Sequence, residues 1–163
     1  MKATIAVYQN HEIAVKAVKK MIKKGIDSKE ISIVGKGEMV EDRMHISSLK
    51  GLKKSPVPIG TVAGGLLGVL AGAGMLMVPG LGFVFLAGKF IGLLGGATMG
   101  MVTGGLASIL ISLGFKKDQV VRFDKHLEKG HYLVIVDGEE DHIDLAHKIL
   151  HTHDEHLELN EAK

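Results

Sequence analysis

A run of 58 residues, 57–114, constrains the fold of this chain most, because Lys89 is its only charged side chain. It also holds 16 of the 22 glycines in the protein. A spacing of four returns to nearly the same face of a helix, so glycines spaced in this way predict a groove where another helix backbone approaches closely. Nine glycines follow that spacing in two rows: Gly60, Gly64, Gly68 and Gly72, then Gly88, Gly92, Gly96, Gly100 and Gly104.

The run predicts a glycine-zipper helical hairpin of the transmembrane type, with the nine glycines as its helix-packing residues. Each glycine in a water-exposed helix costs about 1 kcal/mol relative to alanine, so two such rows favour lipid or a packed interior over water. Residues 59–78 would form about 30 Å of helix, enough to cross a bilayer once. Pro79 to Gly82 would form the turn, and a second helix would run from about residue 83 or 87 to residue 113.

Basic residues flank the run on both sides, while the expected turn carries no charge. Three lysines lie at positions 50, 53 and 54, and Lys116, Lys117 and Arg122 follow the run. The positive-inside tendency therefore predicts a hairpin in the cell inner membrane, with the soluble domain and both termini cytoplasmic. The alternative is a soluble assembly in which the hairpins pack together at the centre without lipid.

Outside the run, strand-like and helix-like segments alternate. Their order predicts the α+β class, and specifically a ferredoxin-like split βαβ sandwich with the glycine-zipper hairpin inserted. Gly25 and Gly130 should each end a helix. The predicted strands cover residues 3–8, 31–35, 39–47 and 131–137, and the predicted helices cover 12–24, 118–129 and 141–151. The predicted domains are 1–56 with 115–150 as one discontinuous ferredoxin-like domain, 57–114 as the hairpin, and 151–163 as a His-rich acidic tail.

Several sequence motifs together resemble a known bacterial family. They are the helix ending at Gly25-Ile26, the strand Ile31-Ser32-Ile33-Val34, the glycine-rich insert with Val78-Pro79-Gly80-Leu81-Gly82, and the strand after Gly130-His131-Tyr132. This layout, over roughly residues 3–137, resembles the small bacterial general stress protein domain of the YflT type and related membrane-associated proteins with a glycine-rich hairpin. The resemblance implies a bacterial protein with a stress-associated or unknown role, and it supplies no catalytic residue.

Composition and motif content exclude several kinds of chemistry. The absence of cysteine excludes disulfides, thiolate nucleophiles and cysteine-based zinc sites. Residues 1–56 carry 12 basic and 6 acidic groups, whereas residues 115–163 carry 7 and 12. The lysines lack interleaved aromatic residues, so no nucleic-acid partner is predicted. No serine is paired with a base and an oxyanion loop, so we expect a non-enzymatic protein, and no small-molecule substrate is identified.

Histidines near the C-terminus form a candidate metal site. His147 and His151 are four residues apart on a predicted helix, the separation at which two imidazoles can share one ion. His153 and His156 could complete a site for zinc, nickel or copper. No other cofactor is predicted.

The leading hypothesis is a non-enzymatic, membrane-associated protein that self-assembles through its glycine-zipper helices. Its expected partners are the lipid bilayer and further copies of the chain. Two alternatives stay open: a metal-responsive or transport-linked module with a His-rich tail, and a soluble self-assembling structural protein.

Overall fold

The computed structural model describes residues 2–36, 74–78, 82–88, 105–152 and 155–162. These residues form an α+β protein in which helices cover an antiparallel sheet. The strands are β1 (Lys2–Tyr8), β2 (Ile31–Lys36), β3 (Gly74–Val78), β4 (Gly82–Gly88), β5 (Tyr132–Gly138) and β6 (Glu158–Glu161). The helices are α1 (His11–Lys23), α2 (Gly105–Ser112), α3 (Lys117–Glu128) and α4 (Glu140–Thr152), with one 3-10 turn at Ser28–Glu30.

The sheet has the strand order β3-β4-β2-β5-β1-β6, and every neighbouring pair is antiparallel. Strand β5 lies between β1 and β2 and pairs with both. In this register Ile5 lies opposite Ile135, and Ile33 lies opposite Val134. These three strands are rich in valine and isoleucine, whose branched side chains fit a pleated surface that is buried on both sides.

Alternate strand residues divide between two cores, one on each face of the sheet. On one face, Ile33 and Val134 pack with residues of α1 and α4, including Val18 and Ile143. On the other face, Ile5 and Ile135 belong to a core with residues of α2 and α3, such as Leu110 and Phe123. Because both faces are covered, the central strands carry near-continuous apolar sequences instead of alternating ones.

Local signals in the sequence explain where α1 begins and ends. The Asn10 side chain accepts a hydrogen bond from the backbone N–H of Ile13 at 3.0 Å, which caps the first turn. After Lys23, Gly25 adopts a φ of 103°, and the N–H of Ile26 donates to the Met21 carbonyl at 3.1 Å. Gly130, with a φ of 80°, follows α3 in the same way. The prediction that Gly25 and Gly130 end helices is confirmed.

The predicted elements on either side of the glycine-rich run are confirmed within one or two residues. They correspond to β1, α1, β2, α3, β5 and α4. The strand predicted over residues 39–47 lies outside the described residues. Gly35 lies inside β2 against the ring of Tyr132.

The helical prediction is wrong for two parts of the run, because Gly74–Val78 and Gly82–Gly88 are strands. Strand β4 pairs with β2, where Gly88 lies opposite Ser32, and β3 pairs with β4. Without β4, one edge of β2 would leave backbone N–H and C=O groups unpaired. Residues 83–86 have the sequence Phe-Val-Phe-Leu, and such aromatic and branched residues suit a strand.

Helix α2 confirms the helical prediction at the end of the run, but its apolar face packs in the protein core. Leu106 and Leu110 are only 3% and 0% exposed, and both belong to the α2–α3 core. Among the residues that the structure describes, no helix combines the length and the apolar character needed to cross a membrane. The rest of the run, residues 57–73, 79–81 and 89–104, lies outside the described residues.

Candidate functional site

The structure describes only one of the nine glycines that the sequence assigns to helix packing. Gly88 is the last residue of β4, so at this position the glycine row does not lie on a helix. The other eight lie outside the described residues, so their role in helix packing stays a prediction: Gly60, Gly64, Gly68, Gly72, Gly92, Gly96, Gly100 and Gly104.

Of the four predicted metal ligands, His147 and His151 lie near each other on α4. Their ring centroids are 6.4 Å apart. The Nδ1 atom of His147 is 3.3 Å from Oγ1 of Thr4 and 3.9 Å from a carboxylate oxygen of Glu161. The described residues contain no group of three side chains arranged to hold a metal ion.

The remaining two predicted ligands do not add to this pair in the described structure. His156 is partly buried, and its Nδ1 atom has no hydrogen-bond partner among the described residues. His153 lies outside those residues. The metal site therefore stays a prediction.

A polar network that the sequence did not predict fastens β6 to α3. The Arg122 Nε–H donates to one carboxylate oxygen of Glu158 at 3.0 Å, and Nε2 of His126 lies 3.0 Å from the other. His126 in turn contacts His131, which precedes β5. Burial of the Glu158 carboxyl favours its neutral form, but hydrogen bonds from Asn160, Arg122 and His126 outweigh burial, so the pKa of Glu158 lies below its usual value.

A cleft of about 360 Å³ lies between α1 and α4. Its apolar lining includes Ile13 on α1 and Ile149 and Leu150 on α4. Charged side chains also line it. They are Lys16 and Lys20, one turn apart on α1, and Glu155, which follows α4.

Tyr8, the last residue of β1, contributes its side chain to the same cleft. The residue is 1% exposed, and burial, followed by the nearby negative charge of Glu155, raises the pKa of its hydroxyl above the ordinary value. The phenol is therefore neutral at physiological pH and available to donate a proton in a hydrogen bond. None of the hydrogen bonds between described residues uses this hydroxyl.

The cleft could not be identified from the sequence, because it combines two segments, residues 8–20 and 149–155, that are far apart in the chain. Tyr8 has the pattern of a strand residue, and Lys16 and Lys20 have that of a solvated helix face. Only the packing of α1 and α4 on the same face of the sheet brings them near Leu150 and Glu155.

A scan against protein-family models, a search of the curated proteins and a search of the solved structures each found no match. The proposals below therefore depend on the sequence and on the geometry of the described residues.

Proposed function

We propose that this chain is a non-enzymatic, membrane-associated protein that self-assembles through its glycine-rich segments. The observation that carries the proposal is the composition of residues 57–73 and 89–104, in which Lys89 is the only charged side chain and glycine recurs every fourth residue. As helices, both segments would present a face without side chains, where backbones pack closely. We also propose that the protein has a role in bacterial stress and that both of its termini are cytoplasmic.

The register of β3 and β4 supports this proposal. Gly74 lies opposite Leu86, so the first residue of β3, which follows the first segment in the chain, and the last residue of β4, which precedes the second segment, lie at the same end of the β3–β4 pair. The second segment then leads into α2, which is anchored in the core through Leu106 and Leu110. Two glycine-rich segments connected to the same end of a strand pair would be well placed to pack against each other or against a second copy.

We infer that the domain carrying these segments is ferredoxin-like. The inference is supported by β5, which lies between β1 and β2 and is antiparallel to both, and by β6, which pairs with the outer edge of β1. Helices α1 and α4 connect these strands on one face of the sheet. The long connection between β2 and β5 would then be an insertion that contains β3, β4, α2 and α3.

A soluble assembly is the second candidate, and segment length favours it. Residues 57–73 and 89–104 number 17 and 16. As helices they would span about 24 to 26 Å, less than the hydrocarbon thickness of about 30 Å. In this case the glycine rows would pack against each other at the centre of an oligomer without lipid.

Extraction of membranes with alkaline carbonate, followed by size measurement in mild detergent, tests both candidates. The membrane proposal expects the full chain in the pellet after extraction and an oligomer in detergent. An oligomer that stays in the supernatant without detergent would favour the soluble assembly.

Substitution of the second glycine row tests the packing itself. Replacing Gly92, Gly96 and Gly100 together by leucine should dissociate the oligomer, because leucine side chains would fill the groove. The matched control replaces Ala97, Thr98 and Met101 by leucine, off that row. An oligomer that survives the glycine changes would overturn the proposed packing.

A further inference from the structure

We propose that the cleft between α1 and α4 is a binding site for a small aliphatic carboxylate, with the carboxylate near Lys16 and Lys20 and the hydrocarbon chain against the apolar side chains of the lining. This site is independent of self-assembly, since its lining residues come from the α+β domain and not from residues 57–73 or 89–104.

The size of the cleft matches a compact ligand. Its volume of about 360 Å³ lies at the lower end of the range of about 300 to 1,000 Å³ that is typical of small-molecule sites. A water molecule occupies about 30 Å³ in the liquid, so this space corresponds to roughly a dozen water molecules. A carboxylate with a chain of about six carbons fits within that volume.

The charges lining the cleft favour an anion. Lys16 and Lys20 supply two positive charges, and Glu155 supplies one negative charge. Two lysines one helical turn apart repel each other, so a bound carboxylate between them would relieve that repulsion. A primary amine could pair with Glu155, but its positive charge would be repelled by the ammonium groups of Lys16 and Lys20.

Tyr8 adds a donor of the kind that binds a carboxylate oxygen. Its hydroxyl is kept neutral by burial, and no hydrogen bond among the described residues occupies it. Because Tyr8 lines the cleft, a ligand oxygen bound there can accept the proton of this hydroxyl in a hydrogen bond.

The apolar side chains of the lining distinguish this ligand from a simple inorganic anion. Ile13, Ile149 and Leu150 contribute hydrocarbon surface to the cleft. A methylene chain lying on this surface would leave water, whereas phosphate would gain nothing from it. The combination of two cations, one anion, one neutral donor and aliphatic side chains therefore favours a carboxylate with an apolar chain.

Isothermal titration calorimetry with the full chain in lipid nanodiscs tests the assignment, using hexanoate, hexylamine and inorganic phosphate as probes. We expect saturable one-to-one binding of hexanoate, with hexylamine and phosphate at least tenfold weaker. Tighter binding of hexylamine or phosphate than of hexanoate would overturn the carboxylate assignment. Empty nanodiscs give the heat of probe partitioning into lipid, which is subtracted.

Matched variants locate the binding. The double substitution Lys16→Gln and Lys20→Gln should weaken hexanoate binding at least tenfold, while Lys19→Gln with Lys23→Gln, on the same helix but outside the cleft, should leave it unchanged. Tyr8→Phe, which removes only the hydroxyl, should weaken binding severalfold with little change in thermal unfolding. Equal hexanoate affinity in the two lysine double variants, or an unchanged affinity in Tyr8→Phe, would contradict the proposal.

Discussion

The Nδ1 atoms of His126 and His131 lie 2.9 Å apart, so one imidazole donates a hydrogen bond and the other accepts it. The accepting nitrogen must be unprotonated. On its other side, Nε2 of His126 contacts Glu158 at 3.0 Å, so the pair belongs to the network that holds β6 against α3. This relationship predicts a dependence of stability on pH.

Stability should fall as the pH drops below about 6.5, because burial, followed by the positive charges of His126 and Lys129, lowers the pKa of His131 below its ordinary value of 6.5. Between the lowered folded pKa and 6.5, the unfolded chain binds more protons than the folded one, so this contribution is present above that window and is lost as the pH falls through it. Urea unfolding at pH 7.5 and pH 5.5 measures the effect. The variant His131→Asn should lose less stability between these two pH values than the unmodified chain, and an equal loss would contradict the prediction.

His142 should behave in the opposite way. Its Nδ1 atom lies 2.9 Å from a carboxylate oxygen of Glu30, and this hydrogen bond raises the pKa of His142 above 6.5. The pairing therefore contributes stability that is fully present below pH 6.5 and is lost as the pH rises through the raised pKa. His142→Gln should reduce stability at pH 5.5 more than at pH 8.5, by a small amount because the ring is 43% exposed. The reverse order in urea unfolding would show that the pairing with Glu30 does not stabilise the fold.

Gly35 should tolerate no side chain, because a Cβ atom at this position would overlap the ring of Tyr132. Gly35→Ala should lower the free energy of unfolding by about 1 to 3 kcal/mol, the usual cost of overpacking a core. A double-mutant cycle with Tyr132→Val gives the control, since removal of the ring should make the alanine much less costly. If Gly35→Ala lowers the free energy of unfolding equally in the unmodified chain and in the Tyr132→Val variant, the destabilisation does not come from contact with the Tyr132 ring.

The core between the sheet and helices α2 and α3 should depend on α3 for its stability. Phe123 is 0% exposed and contacts Phe115 edge-on with ring centroids 5.7 Å apart. Phe123→Ala should therefore cost about 3 to 5 kcal/mol in chemical denaturation. Val121 lies on the same helix but is 52% exposed, so Val121→Ala should change stability by only about 0.5 kcal/mol or less. Similar effects of the two changes would show that α3 does not cover this core.

Periodicity in the sequence predicts those elements whose apolar residues alternate with polar ones at a helical spacing, such as α1 and α3. It also predicts β1 and β5, which are short apolar runs bounded by polar residues or glycine. It fails at β3 and β4, because an apolar run without polar residues has no period that separates strand from helix. There the strand structure depends on the edge of β2, whose backbone groups pair with β4, a strand far along the chain. The sequence does not show that this edge needs a partner.

Strand β6 was not predicted from the sequence, for a related reason. Residues 151–163 have the composition of a polar tail, yet Glu158–Glu161 pairs with β1, and the N–H of Ala162 donates to the Ala3 carbonyl at 2.8 Å. Such a short, charged strand suits a sheet edge, where its outer side faces water. Its place depends on β1 and on the Glu158 contacts with Arg122 and His126, which are tertiary interactions and leave no local pattern.

Disulfide cross-linking at single introduced cysteines tests self-assembly through the glycine row most directly, because the chain contains no cysteine of its own. Position 96 lies on the second row, and position 98 would point away from it, about 200° around a helix. In membranes, the account predicts a disulfide-linked dimer for Gly96→Cys and little cross-linking for Thr98→Cys. Equal cross-linking at the two positions, or none at position 96, would contradict it.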